Sequence, residues 1–300
     1  MAGVTVIIPT RNRVDYLEEA LESVFRQSYQ NIECVVVDDR SSDGTREFLN
    51  SIDDERLRVV RCDQHCGPAR ARNLGLEVAS GEYIAFLDDD DRLHENAIGT
   101  MVSTLREQPR DCAGVYSAYR EFRPGEAEVK PVPDGRVENT EDLRIQGLGG
   151  KLFRTSVFEE VGPLDDSFIV AEDLEWMVRV FREYFLVGLD RPLYERRKHG
   201  NQLTGQTELV IEGNTELLEK HEGNLTPRYE AKRYYVLSHK YAQLGRPATA
   251  RSHLRAAARK YPRDKSIYYY HFWLLFGVFG YVFGKKLGQR FITRIPGVAH

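Results

Sequence analysis

The stretch 83–92, Tyr-Ile-Ala-Phe-Leu-Asp-Asp-Asp-Asp-Arg, constrains the fold more than any other, because an apolar run stops abruptly in four consecutive carboxylates. A short, continuous apolar run is the pattern of a strand buried on both faces of a parallel sheet. Open α/β sheets bind ligands beyond the carboxyl ends of their strands. Asp88, Asp89, Asp90 and Asp91 are therefore expected at the mouth of a site. Adjacent carboxylates repel one another unless they are solvated or held by a cation, and an all-oxygen donor set suits Mg²⁺ or Mn²⁺. A solvated acidic turn that merely ends the strand is the simpler alternative. A calcium-binding EF-hand loop fits poorly. Counting from Asp88, Leu93 stands where glycine is needed and Gly99 where glutamate is needed.

The flanking sequence supplies the remaining parts of an α/β sheet. Residues 4–8 are β-branched and run into Pro9, which should close a first strand, and Thr10-Arg11-Asn12 follows as a loop. Neither the glycine fingerprint of dinucleotide-binding folds nor the Gly-Lys-Ser/Thr of phosphate-binding loops is present. Leu17, Ala20, Leu21, Val24 and Phe25 recur at helical spacing with Glu18, Glu19 and Glu22 opposite them. A second strand, 32–37, ends at Asp38-Asp39, and Ser41-Ser42-Asp43-Gly44 offers caps for the next helix. After a short strand at 57–60, Pro68 suits the first turn of a helix reaching about residue 79. Arg70 and Arg72 near that N-terminus oppose the helix dipole and call for an anionic partner, unless they are ordinary exposed arginines.

Further on, a helix is expected over 95–106 and a strand over 114–122. Pro, Gly and charge dominate 124–150, which ends in Gly147-Leu-Gly149-Gly150 and reads as a mobile loop or lid. A strand at 151–154 and a helix at 155–161, stopped by Gly162-Pro163, come next. Glu172 and Asp173 precede the helical stripe Leu174, Met177, Val178 and Phe181, where carboxylates are welcome for capping alone. A last strand is expected over 192–198, leading to His199.

Three hundred residues allow one large α/β domain with an appendage, or two modest domains. A net charge of −4, from 42 basic and 46 acidic residues, exerts no global pull toward nucleic acid. The four cysteines, Cys34, Cys62, Cys66 and Cys112, show no paired spacing, and the absence of a second Cys/His pair disfavours zinc. Reduced, cytosolic thiols are expected. The first residues lack a basic region and a long apolar stretch, so they read as a strand rather than a signal peptide.

Seven segments in order resemble the family-2 inverting glycosyltransferases with the GT-A fold. They are Val-Ile-Ile-Pro-Thr-Arg-Asn at 6–12, Val-Val-Asp-Asp-Arg-Ser-Ser-Asp-Gly-Thr at 36–45 and Gly-Pro-Ala-Arg-Ala-Arg-Asn-Leu-Gly at 67–75, then Phe-Leu-Asp-Asp-Asp-Asp at 86–91. Val-Gly-Pro-Leu-Asp at 161–165, Ala-Glu-Asp at 171–173 and Arg-Arg-Lys-His at 196–199 complete the set. The resemblance implies a Rossmann-like, mostly parallel sheet over 1–204, with a donor half of about 1–110 and an acceptor half of 111–204. It implies a nucleoside-diphosphate sugar as donor and a divalent cation, Mn²⁺ or Mg²⁺, stabilising the leaving diphosphate.

By the same likeness Asp88 and Asp90 form the Asp-x-Asp motif, the first near the ribose and the second on the metal, with Asp91 and His199 sharing that task. Pro9, Thr10, Arg11, Asp39, Arg70, Arg72, Asp88 and Asp89 would bind the donor, Asp39 accepting from the base. Asp173 matches the family's general base, and Glu172 beside it would position substrate. Trp176, Gly149 and Gly150 would lie on the acceptor side, although an aromatic at helical spacing is also a core residue. A nucleotidyltransferase and a non-catalytic nucleotide- or sugar-binding module remain open; a glycoside hydrolase leaves the acidic run unexplained.

The resemblance stops near residue 205. Residues 205–262 carry apolar positions at helical spacing, and 241–262 look like one tetratricopeptide-type unit; a single unit cannot build a solenoid, so a helical hairpin is expected. Residues 267–283 are aromatic and free of Asp, Glu, Lys and Arg, with basic residues on both sides. A helix of that length is about 25 Å, short of the roughly 30 Å hydrocarbon core. We therefore expect 263–300 to lie on the inner face of a cytoplasmic membrane rather than cross it, bringing the site to a lipid-linked saccharide or polyprenyl phosphate. A core or dimer helix is the alternative.

Overall fold

The computed structural model describes residues 3–140, 147–200 and 206–264, together with Tyr268 and Phe272. Two compact units, Met1–Asn201 and Gln202–His300, divide the chain.

The first unit is built on one sheet. Its strands are β1 (Val4–Thr10), β2 (Ile32–Asp38), β3 (Leu57–Arg61), β4 (Tyr83–Phe86), β5 (Arg92–Leu93), β6 (Cys112–Arg123), β7 (Glu126–Lys130), β8 (Gly135–Val137), β9 (Lys151–Arg154) and β10 (Phe185–Arg197). The order is β3-β2-β1-β4-β9-β6-β10-β5, with β7 on β6 and β8 on β10. From β3 to β4 every pairing is parallel; β9 runs antiparallel to both β4 and β6. Helices α1 (Val14–Phe25), α2 (Thr45–Ser51), α3 (Gly67–Val78), α4 (Ala97–Arg106), α5 (Thr155–Val161) and α6 (Glu172–Val180) complete the unit.

Alternation along β1 explains its continuous apolar run. Val4, Val6 and Ile8 join one core with α1 and α4, whereas Ile7 joins a second with α3, α5 and α6. Both faces are thus buried, as a parallel strand requires. β1 continues through Pro9 to Thr10, past the expected stop. β4 has already ended its pairing at Ile7, so the missing N–H of Pro9 breaks no bond to that neighbour.

Three further expectations change. The 124–150 stretch is not simply a loop: β7 folds back antiparallel on β6 after a turn at Gly125, whose φ of 79° suits glycine, and β8 pairs with β10. β7 is exposed along nearly its whole length, so no apolar face marked it as a strand. Residues 141–146 of the expected lid lie outside the described residues. β10 begins at Phe185 rather than 192, because irregular register around Leu189, Pro192 and Tyr194 disguises one strand as two segments. Finally, Cys62 and Cys66 are joined in a disulfide, not held as reduced thiols; only Cys34 and Cys112 are free. The loop from β3 turns back into α3 there, closing a four-residue separation to a Cα distance of 6.3 Å.

The second unit holds α7 (Thr207–Lys220), α8 (Pro227–Gln243) and α9 (Pro247–Lys260). α8 and α9 pack as a hairpin around Ala231, Ala242, Ala250, Leu254 and Ala257, and α7 adds a third helix against α8. Proline opens both α8 and α9, and the Thr226 hydroxyl accepts from the Tyr229 N–H as an N-cap. Apart from Tyr268 and Phe272, which are helical and exposed, the 267–283 segment falls outside the described residues. No helix among the described residues is long and apolar enough to cross a membrane.

Candidate active site

Beyond Phe86 the chain leaves the sheet, and the four aspartates turn in different directions. Asp89 is directed back at the first loop: its Oδ2 accepts from the Thr10 hydroxyl at 2.9 Å and the Arg11 N–H at 3.4 Å, and Arg13 donates to Oδ1 at 2.9 Å. Burial pushes Asp89 up to about 6, with Arg13 opposing and Asp90 reinforcing the shift. Its carboxylate braces the loop, with both oxygens engaged by protein donors. Asp91 is also consumed internally, accepting from the Tyr194 hydroxyl and from the Arg197 N–H at 2.7 Å. Burial, with the charges of Asp88 and Asp90, holds its pKa well above the usual carboxylate range.

Asp88 and Asp90 are placed differently. Asp88 Oδ1 accepts from Arg72 at 2.7 Å; Asp90 Oδ2 accepts from Arg13 at 3.1 Å and faces His199 Nε2 at 2.7 Å. Their other oxygens make no hydrogen bond among the described residues. Oxygens of Asp88, Asp90 and Asp91 lie within 4.8 Å of one another. Two unengaged carboxylate oxygens in an all-oxygen cluster fit a hard divalent cation. Asp39, Cys62 and Cys66 also lie together, but the disulfide removes the thiolates a metal would need.

Asp39 ends up at the N-terminus of α3, accepting from the N–H groups of Cys66 at 2.7 Å and Gly67 at 3.1 Å. It satisfies donors that no side-chain cap from within the helix serves. His65 Nδ1 stands 2.6 Å from its Oδ2, and His65 Nε2 faces the Arg11 guanidinium at 2.7 Å. Asp39, Thr10, Arg11 and His65 therefore line one edge of the site. Arg70 does not join them: it pairs with Glu77 along its own helix at 3.0 Å. Arg72 is the residue that spans the cleft, donating from Nη2 to Asp88 and from Nη1 to Glu172 at 2.6 Å. Burial works against its charge, yet Asp88 and Glu172 hold its pKa above the usual arginine value. Its Nε is buried without a partner.

α6 begins after Ala171, whose φ of 71° turns the chain sharply into the helix. Glu172 is buried, and burial pushes it up to about 7, Arg72 opposing and Asp173 reinforcing the shift. Asp173 is half-exposed, and its carboxylate makes no hydrogen bond among the described residues, so it is not a helix cap. It acts electrostatically on Glu172, Arg72 and Lys151. Trp176 is not on an acceptor surface: it is fully buried, stacked on Phe158 at 4.4 Å, with its indole N–H on the Gly162 carbonyl. Its contacts with Phe153 and Phe158 make it part of the core between α5, α6 and the sheet. Gly149 and Gly150 are buried against Tyr194, where a Cβ on Gly149 would lie 2.2 Å from the hydroxyl oxygen.

Sequence reasoning passed over Arg13, His65, Lys151, Tyr194 and Arg197. A lysine opening an apolar strand directly after two glycines was the available signal for Lys151. Arg13 adjoined a loop already singled out, and His65 stood between the cysteines.

A mixed α/β sheet with carboxylates beyond a central strand, faced by an acidic helix start across one arginine, defines a GT-A glycosyltransferase fold. The chain belongs to glycosyl transferase family 2, whose model matches residues 5–162. It is 39% identical over 121 residues to glycosyltransferase GlyG of Streptococcus pneumoniae serotype 4, covering 39% of this chain and 40% of that protein. Over 110 residues it is 38% identical to the GalNAc(5)-diNAcBac-PP-undecaprenol beta-1,3-glucosyltransferase of Campylobacter jejuni, covering 36% of each. These matches thus span less than half of the relatives' length. Among solved structures, S. aureus TarS 1–349 in complex with UDP-GlcNAc has a TM-score of 0.67 at 17% identity, covering 96% of this chain and 92% of that one. Mannosyltransferase PcManGT from Pyrobaculum calidifontis, in complex with GDP-Man and Mn²⁺, has a TM-score of 0.56 at 20% identity, covering 98% of this chain and 88% of that one. Both share the fold.

Proposed function

We propose that this protein is an inverting glycosyltransferase that moves a sugar from a nucleoside-diphosphate sugar to an acceptor hydroxyl. The observation that carries the reading is the Arg72 bridge from Asp88 to Glu172, with the unengaged Asp173 carboxylate beside it. One cleft then holds an acidic cation-binding cluster and a free base. A divalent cation held by Asp88 and Asp90 would neutralise charge developing on the departing diphosphate. Asp39, with Thr10, Arg11 and His65 around it, receives the nucleobase. Arg72 keeps the two acidic groups in register, and Glu172 orients the acceptor. Asp173 takes the proton from the attacking hydroxyl, as a single displacement with inversion requires. His199, on Asp90, closes the diphosphate side.

The acceptor is a lipid-linked saccharide or polyprenyl phosphate, in glycan or cell-surface polysaccharide assembly. The undecaprenol-linked acceptor in the name of the Campylobacter relative supports this. Residues 263–300, aromatic with basic flanks, would hold the protein peripherally at the cytoplasmic membrane face.

Replacing Asp173 with asparagine tests the mechanism. Turnover is expected to fall by about 10²- to 10⁴-fold, the usual range for a positioned base, while nucleotide binding persists. Full turnover by Asp173→Asn rules the base out. Product analysis separates the rival class, since a nucleotidyltransferase releases pyrophosphate and this reaction a nucleoside diphosphate.

A further inference from the structure

The segment Val-Gly-Pro-Leu-Asp at 161–165 has no part in the proposed reaction, yet its backbone is held more closely than a connecting turn needs. It leaves α5 and starts the connection to α6. Four successive carbonyls there are taken by side chains from two other helices. Arg179, on α6, donates from Nη1 to the Val161 carbonyl and from Nη2 to the Pro163 carbonyl, both at 2.7 Å. Between them the Trp176 indole N–H reaches the Gly162 carbonyl at 2.9 Å. Asn73, on α3, takes the last: its Nδ2 donates to the Leu164 carbonyl at 2.8 Å, and its Oδ1 accepts from the Leu164 N–H at 3.1 Å. A helix end leaves its final carbonyls without partners, which accounts for the bond to Val161. Pro163 and Leu164 lie beyond α5, so their bonds serve another purpose.

Glu175 keeps Arg179 in place. It is fully buried and accepts from Nε at 3.0 Å and from Nη2 at 2.9 Å, so the guanidinium cannot swing away without leaving an unpaired buried charge. The turn is thus clasped by α6 on one side and α3 on the other. Arg72, next to Asn73 on α3, reaches Glu172 at the start of α6. Successive helix positions point about 100° apart. The Arg72–Glu172 contact alone leaves α6 free to roll about it; the second contact, made through Leu164 from a different side of α3, removes that freedom. Asp173 has no hydrogen bond of its own among the described residues to orient its carboxylate, so its helix places it.

We propose that Asn73, Glu175 and Arg179 are positioning residues for the reaction. Through the 161–164 turn they fix the start of α6, and with it the Asp173 carboxylate, against Arg72 and Asp88. Their bearing on turnover rests on the reading of Asp173 as the base; the clasp itself does not.

Two measurements on the full chain test it. Asn73→Leu keeps the side chain's size and removes both bonds to Leu164, whereas Arg179→Lys keeps a cation beside Glu175 but cannot hold two carbonyls. The first measurement is hydrogen exchange, which needs no substrate. Amides 175–177, where the helical bonding of α6 begins, are expected to exchange about tenfold faster in both variants, the scale of a lost buried hydrogen bond, while β1 and β2 stay as protected as in wild type. Unchanged exchange at 175–177 in both variants overturns the clasp, and so does loss of protection throughout the sheet in both. The second is a kinetic cycle of Asn73→Leu with Asp173→Asn, following nucleoside diphosphate release from UDP-GlcNAc and from GDP-Man with Mn²⁺, water standing in for the acceptor. Asn73→Leu alone is expected to lower kcat by up to about a hundredfold with the donor KM little changed, the scale of a 1 Å misplacement. In the Asp173→Asn background it should cost almost nothing, because no base is left to position. Equal losses in the two backgrounds make Asn73 a structural residue only and overturn the proposal. Full turnover by Asp173→Asn, or no release by wild type from either donor, counts instead against the base or the donor reading, and the exchange result alone then decides the clasp.

Discussion

At the scale of single residues, the site works by unequal treatment of identical groups. Asp89 and Asp91 spend their oxygens on Thr10, Arg13, Tyr194 and Arg197, whereas Asp88 and Asp90 each keep one oxygen unengaged. Composition could announce four carboxylates but not this division of labour, which depends on which loop each side chain meets. Lys151 makes a measurable counterpart. Its ammonium is pushed by burial from 10.5 to about 8, so between those values the folded state holds fewer protons than the unfolded chain. Stability is therefore expected to rise with pH across that window. Denaturant unfolding from pH 7.5 to 10.5 in wild type and Lys151→Met reads it: the variant should lose this part of the slope, and identical slopes would contradict the burial argument.

Among the elements, the approach of the 149–150 segment to β10 fixes the site's floor. Phe86 pairs with Gly149 just as β4 ends, and Gly150 adopts φ 68° against the Tyr194 ring. Tyr194 in turn holds Asp91. A Cβ on Gly149 would meet the Tyr194 hydroxyl first, so Gly149→Ala is expected to cost about 1–3 kcal/mol through overpacking. Tyr194→Phe removes the nearest clashing atom but leaves the ring Cζ 2.7 Å from that position, so the double variant should be less destabilised than the sum of the singles, with part of the clash remaining. Strict additivity in thermal melts would show that the contact does not govern the fold there. This contact was invisible in the sequence beyond the glycines themselves. The partner lies on a strand whose interrupted pattern suggested a later start. β7 was missed for a related reason: a ribbon exposed on both sides carries no apolar period.

Over the whole molecule, the two halves of the site belong to distant parts of the chain. Arg72 and Glu172 are 100 positions apart. A ligand that binds only the folded state raises its apparent stability, by about 2.7 kcal/mol at a hundredfold excess over Kd. A thermal-shift screen of nucleotide-sugars with and without Mn²⁺ is therefore expected to find a donor whose protection needs the cation. Asp90→Asn should abolish the cation-dependent part; protection unchanged by metal or by that substitution would remove Asp90 from the cation's shell. The sequence by itself determined the α/β class, the buried strand ending in acid, and the helix starts at Pro68 and Glu172, because burial period, turn chemistry and capping are local properties. It also displayed the family's segments in order. Only the tertiary structure decided that Trp176 is core, that Arg70 turns away while Arg72 spans the cleft, that Cys62 and Cys66 join, and that Lys151 lies buried beside Asp88. Those outcomes depend on sheet register and on which strands become neighbours, and no local pattern encodes them.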